Sequence, residues 1–131
     1  MIIGNKQQCN KLPDDSKKLL FHNQIINRTD NARNLGVIFD SNLSYRQHIS
    51  NLCRCSFLNI RTVSKICNLL DIKTTKMLVC SLVTSRLDYC NSLLFGFPDC
   101  TINKLQLVQN SIARLVVPGT RKFDHISPIL K

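Results

Sequence analysis

The chain has 131 residues, a formal net charge of +10 from 18 Lys+Arg against 8 Asp+Glu, and an apolar fraction of 44%. That fraction excludes a disordered tail. No apolar run approaches the roughly 18 residues of a membrane span, and the start Met1-Ile2-Ile3-Gly4 lacks the basic and apolar stretches of a signal peptide. The charge excess points to a polyanion (nucleic acid, an acidic membrane surface or an acidic protein) and does not choose among them.

Residues 1–40 read as β and residues 41–131 as helical, so the expected class is α+β: a few short N-terminal strands, hairpin-like, followed by a bundle of about three helices. Met1-Ile2-Ile3 is a candidate strand, and the polar stretch from Asn5 to Asp15, with Pro13, is a loop. Leu19-Leu20-Phe21 and Ile25-Ile26 flank His22-Asn23-Gln24. Asn23 supplies turn chemistry, so a small hairpin is expected there. Leu35-Gly36-Val37-Ile38-Phe39 is a compact run rich in strand formers.

From Ser44 the period changes. Ser44 and Gln47 form a capping-box pattern ahead of an apolar-periodic run. Tyr45, Ile49, Leu52, Cys53, Phe57, Ile60, Val63, Cys67 and Leu70 recur at helical spacing and predict a helix over roughly 44–69. On the same wheel Arg46, Arg54, Arg61 and Lys65 form a basic stripe away from the apolar centre. Between residues 41 and 87 the only acid is Asp71. A second helix is expected from near Thr74 through Asp88, its Met77–Val83 portion inside, with Gly96 and Pro98 as its stop. Thr101 is a candidate N-cap for a third helix, with Ile102, Leu105, Val108, Ile112, Leu115 and Val116 on one face and Pro118-Gly119 at its end.

The residue types give little room for catalysis. Metal-dependent phosphoryl transfer needs carboxylates gathered at one point. All eight acids are Asp, dispersed at 14, 15, 30, 40, 71, 88, 99 and 124. Asp14-Asp15 reads as a solvated turn, and Asp124-His125 as a polar turn with nothing to complete a triad. In Arg86-Leu87-Asp88-Tyr89 the ordinary reading is a buried Tyr89 with Asp88 capping or pairing. The four glycines are isolated, so no phosphate-cradling loop is present. Seven cysteines, at 9, 53, 55, 67, 80, 90 and 100, do not fit a disulfide framework. Cys53 and Cys55 are too close for a zinc knuckle, even with His48 nearby. The cysteines read as small hydrophobes on helices.

The basic stripe is the strongest local signal. A cationic helix face with almost no acids can follow phosphates, and its binding would weaken steeply with salt. No sequence-specific recognition motif accompanies it.

Several blocks in order closely resemble the end of a non-LTR retrotransposon reverse transcriptase of the chicken-repeat and jockey-like LINE group. They are Asn34-Leu35-Gly36-Val37-Ile38-Phe39-Asp40 with His48-Ile49, then Ser85-Arg86-Leu87-Asp88-Tyr89-Cys90-Asn91-Ser92-Leu93-Leu94 and Gly96-Phe97-Pro98. Lys104-Leu105-Gln106-Leu107-Val108-Gln109-Asn110-Ser111-Ile112-Ala113-Arg114-Leu115 and Thr120-Arg121-Lys122-Phe123-Asp124-His125-Ile126 continue the series. Met1-Ile2-Ile3-Gly4 resembles the strand that follows the palm. The resemblance implies that Leu35, Gly36 and Val37 belong to the primer-grip hairpin. It implies that the helices from Ser44 onward form the thumb, which holds an RNA/DNA template–primer duplex by its phosphates; Arg46, Arg54, Arg61 and Lys65 suit that role.

The family's Tyr-Ala-Asp-Asp block, which holds the catalytic Mg2+ in the palm, does not occur in this chain. The resemblance therefore implies a fragment with no cofactor of its own and no catalytic residue. Its partners would be nucleic acid and the palm and fingers of the parent RNA-directed DNA polymerase, at a nuclear or cytoplasmic location, with no membrane. The chain reads as cut at both ends, with Met1 an internal methionine of a decayed copy. The alternatives are a free-standing basic helical module that binds RNA or DNA, a protein-interaction bundle, and a non-functional remnant.

Overall fold

The computed structural model describes residues 1–4, 7, 11 and 18–117. Two compact units divide the chain, Met1–His48 and Ile49–Lys131. The architecture is α+β, with four short antiparallel strands in two hairpins followed by helices.

In the first unit β1 (Lys18–Phe21) pairs with β2 (Gln24–Asn27), Phe21 opposite Gln24. β3 (Asn31–Asn34) pairs with β4 (Val37–Asp40), Asn34 opposite Val37. Each hairpin closes through two residues with positive φ: His22 (47°) and Asn23 (66°), then Leu35 (47°) and Gly36 (84°). Positive φ at both central positions is what a type I′ turn needs, and its twist matches that of the flanking strands. The expected hairpin around Asn23 therefore forms. The run Leu35 to Phe39 holds the second hairpin's turn, at Leu35-Gly36, and the start of β4 at Val37. Residues 1–3 form no strand either. The Gly4 N–H donates to the Ser41 carbonyl at 3.0 Å, one bond and not a ladder.

Val37 and Tyr45 are buried, and Phe39 meets Tyr45 edge-on with ring centroids 5.5 Å apart. Between them, Asp40 organises the loop that leads to α1 (Arg46–Ile66). Its carboxylate accepts from the Ser44 N–H and hydroxyl, both at 2.8 Å, and from the Asn42 N–H at 3.0 Å. This overturns the capping-box reading of Ser44. The helix begins at Arg46, so Tyr45, at φ 51°, holds the N-cap position and Ser44 lies one residue outside it. One helical turn into α1, His48 Nδ1 accepts the Ile38 N–H at 3.4 Å.

In the second unit α1 buries Ile49, Ser56 and Val63, spaced seven residues apart on one face. The helix ends at Ile66 and tightens into a 3-10 turn over Cys67–Leu69. Next come α2 (Ile72–Val79), a π-turn over Cys80–Thr84, and α3 (Ser85–Asp88). α2 begins two residues before Thr74 because Asp71 is its N-cap, accepting the Thr74 N–H at 3.2 Å. α4 (Asp99–Val116) likewise begins before the expected Thr101: Pro98 fixes the entry, and Asp99 places its charge on the positive end of the helix.

Val83, Leu87 and Val108 form the core here, with Leu52, Cys53, Ile60, Leu105 and Ile112 packed against them. The expectation that Met77–Val83 lies inside fails. Val79 and Val83 are buried, while Met77, Cys80, Ser81 and Leu82 face solvent. Only the side toward Val108 and its neighbours meets a core, so an apolar side chain elsewhere stays wet. Asn59 Nδ2 donates to the Leu82 carbonyl at 3.0 Å, tying α1 to the π-turn.

The expected stop at Pro118-Gly119, the pairs Asp14-Asp15 and Asp124-His125, and Cys9 lie outside the described residues.

Candidate nucleic-acid interface

Leu35 and Gly36 stand at the tip of the second hairpin, Leu35 82% exposed. Val37 is only 2% exposed, so its side chain serves the first unit's core and cannot reach a ligand. Arg46 opens α1 and is exposed.

In the second unit Arg54, Arg61 and Lys65 are all exposed on α1. At 3.6 residues per turn they fall within about 40° of one another and span roughly 16 Å of helix. α1 contains no Asp or Glu from Arg46 to Ile66. Residues 49–117 carry eight Lys and Arg against three Asp, at 71, 88 and 99. The cations thus sit on a regular scaffold, with their long stems on the surface and their charges unopposed along the helix. That arrangement attracts phosphates through charge and reads no bases.

Sequence reasoning placed Phe57 on the apolar face with Ile60 and Val63. It is instead 42% exposed and stands beside the cations, and Leu58, 53% exposed, lies among them. The core takes only Ile49, Ser56 and Val63 fully, a narrower stripe than the apolar periodicity suggests. Tyr89, expected buried, is also exposed, on the turn after α3.

Among the described residues the titratable groups show no catalytic grouping. Burial pulls the His48 imidazole below its ordinary pKa. For Asp40 burial pushes upward, but hydrogen bonds from Ser44, Asn42 and Tyr45 outweigh it and hold the carboxyl below its usual range. Hydrogen bonds from Thr74 do the same for Asp71. Burial pushes the Cys53 thiol up, and Lys104 partly offsets this. The six described cysteines are free and none is fully buried; Cys80 and Cys100 are exposed. Cys53 packs against the Val83–Leu87–Val108 core as a small hydrophobe, and Cys55, Cys67 and Cys90 are half-buried.

Among the described residues no three of His, Cys, Asp and Glu gather where they could hold a metal ion. An open groove of about 640 Å³ in the second unit is lined by Val79, Leu87, Ile112, Ala113 and Val116, with Lys76 and Asp88 among its polar residues. Cys80 and Thr84 also line it. Among the described residues, no helix is long and apolar enough to cross a membrane.

Compared with known protein families, with curated proteins and with solved structures, the chain matches none of them.

Proposed function

We propose that this chain is the primer-grip and thumb part of a non-LTR retrotransposon reverse transcriptase. In this reading it holds a template–primer duplex by its phosphates and does not polymerise on its own. The sequence blocks from Asn34 to Asp40, Ser85 to Leu94 and Lys104 to Leu115, in family order, support the assignment. The observation that carries the binding activity is the acid-free face of α1 bearing Arg54, Arg61 and Lys65. Arg46 adds a further cation at the start of the same helix.

Leu35 and Gly36, at the hairpin tip, are the part of the first unit available to nucleic acid. Among the described residues no carboxylate cluster gathers, and this reading assigns the chain no catalytic residue. Its contribution is to bind and orient, with the polymerase chemistry assigned to palm and fingers as partners.

The test is fluorescence anisotropy of the full chain with a labelled RNA–DNA hybrid across a salt series. Three phosphate contacts give a slope of log affinity against log salt of roughly −2 to −3. Arg54→Glu with Arg61→Glu weakens binding about tenfold or more at low salt. Absence of affinity at low salt sinks the proposal, and an unchanged double variant reassigns the stripe to solvent.

A further inference from the structure

The exposed face of α1 is not purely cationic. Arg54, Leu58, Arg61 and Lys65 follow one another at steps of four, three and four residues, so they form one line along the helix. Phe57 stands about 60° to one side of that line. Its ring is 42% exposed although the helix buries an apolar face elsewhere, through Ile49, Ser56 and Val63. An aromatic left in water beside a row of cations costs solvation that a purely phosphate-binding surface would not require.

We propose that this face takes unpaired nucleotides: Arg54, Arg61 and Lys65 follow the backbone of a single strand while Phe57 stacks on one of its bases. The inference rests on the phosphate-binding reading above and deepens it from a duplex-tracking surface to one that also holds a single-stranded stretch of nucleic acid. Charge complementarity selects a polyanion as occupant, since α1 carries no acid. Backbone-tracking cations interleaved with an aromatic platform are the combination that single-strand binders use, and stacking is tolerant of base identity. Cation–π attraction between the arginines and the stacked base adds to it. An anionic membrane would need a broad apolar face for insertion. α1 buries Ile49 and Val63 in the core, and its exposed apolar side chains are Phe57, Leu58 and, at its end, Ile66.

The experiment compares the full chain's affinity for three probes at low salt. They are a labelled oligothymidylate of about twelve nucleotides, an abasic sugar–phosphate strand of the same length, and vesicles of phosphatidylserine and phosphatidylcholine. The base-bearing strand binds about tenfold tighter than the abasic strand. Phe57→Ala removes that difference, as does Phe57→Leu, which keeps apolar bulk without a π-face. Neither variant alters abasic binding, which serves as the measure that each is folded. Equal wild-type affinity for the two strands overturns the stacking and leaves the phosphate-binding reading intact. No affinity for either strand overturns both. Vesicle binding that falls with Phe57→Leu, without a preference for the base-bearing strand, overturns the inference in favour of a membrane.

Discussion

Asp40 and Ser44 are joined twice: the Ser44 N–H and its hydroxyl each donate to one carboxylate oxygen of Asp40, at 2.8 Å. The pair fastens the end of β4 to the start of α1. Between them the loop holds Leu43 at φ 52°, and Tyr45 follows at 51°, conformations that non-glycine residues adopt only when their surroundings over-determine them. Asp40→Ala leaves the donors of Asn42, Ser44 and Tyr45 without this acceptor and lowers stability by about 1–2 kcal/mol, the cost of losing a good cap. Asp40→Asn, which keeps an acceptor oxygen, costs less. Urea unfolding followed by circular dichroism measures both, and equal losses would show that a neutral acceptor oxygen cannot replace the carboxylate.

The Ile38 N–H needs the neutral imidazole of His48 as its acceptor. The folded pKa of His48 is lowered, so its contribution is complete above the ordinary histidine value of about 6.5 and is lost as pH falls through the lowered value. Asp40 acts in the same direction, its contribution present above about 3.9 and lost on further acidification. Melting temperature is expected to fall between about pH 7 and pH 5, and His48→Gln is expected to flatten that interval. A variant that keeps the wild-type slope would assign it to other groups.

Leu35 occupies the left-handed region at the first position of a type I′ turn, where Asn is preferred. Leu35→Asn is expected to stabilise the hairpin by about 1 kcal/mol, because the short amide of Asn hydrogen-bonds locally and tolerates that φ better than Leu. A lower melting temperature would mean that Leu35 makes contacts worth more than its backbone strain.

The Ser56 hydroxyl is buried in the second unit with no hydrogen-bond partner among the described residues. Removing an unsatisfied polar group is neutral or favourable, so Ser56→Ala is expected to raise stability by up to about 1 kcal/mol. Leu87→Ala, which empties part of the Val83–Leu87–Val108 core, is expected to cost about 2–5 kcal/mol. Chemical denaturation of the two variants side by side checks both signs.

Primer extension by the purified chain on a primed RNA template is expected to stay at background with Mg2+ or Mn2+ supplied. Incorporation above background would show that the chain gathers a metal-holding set of carboxylates after all.

The sequence by itself determined the class and the charge. Short apolar runs bounded by turn residues mark the β part, and a helical apolar period marks the rest. The acid-free basic stripe was legible because a regular helix turns linear spacing into a shared face: Arg54, Arg61 and Lys65 needed no tertiary information to be placed together. Local chemistry that competes for the same donors was harder to read. Ser44 looked like a cap and became a donor to Asp40; Thr74 and Thr101 yielded their helix starts to Asp71 and to Pro98-Asp99. Only the tertiary structure decided which apolar residues are covered. Met77, Phe57 and Tyr89 have the composition of core residues, yet burial depends on a neighbour being present on that side. Val83, Leu87 and Val108 found one, whereas Phe57 was left in water beside the cations.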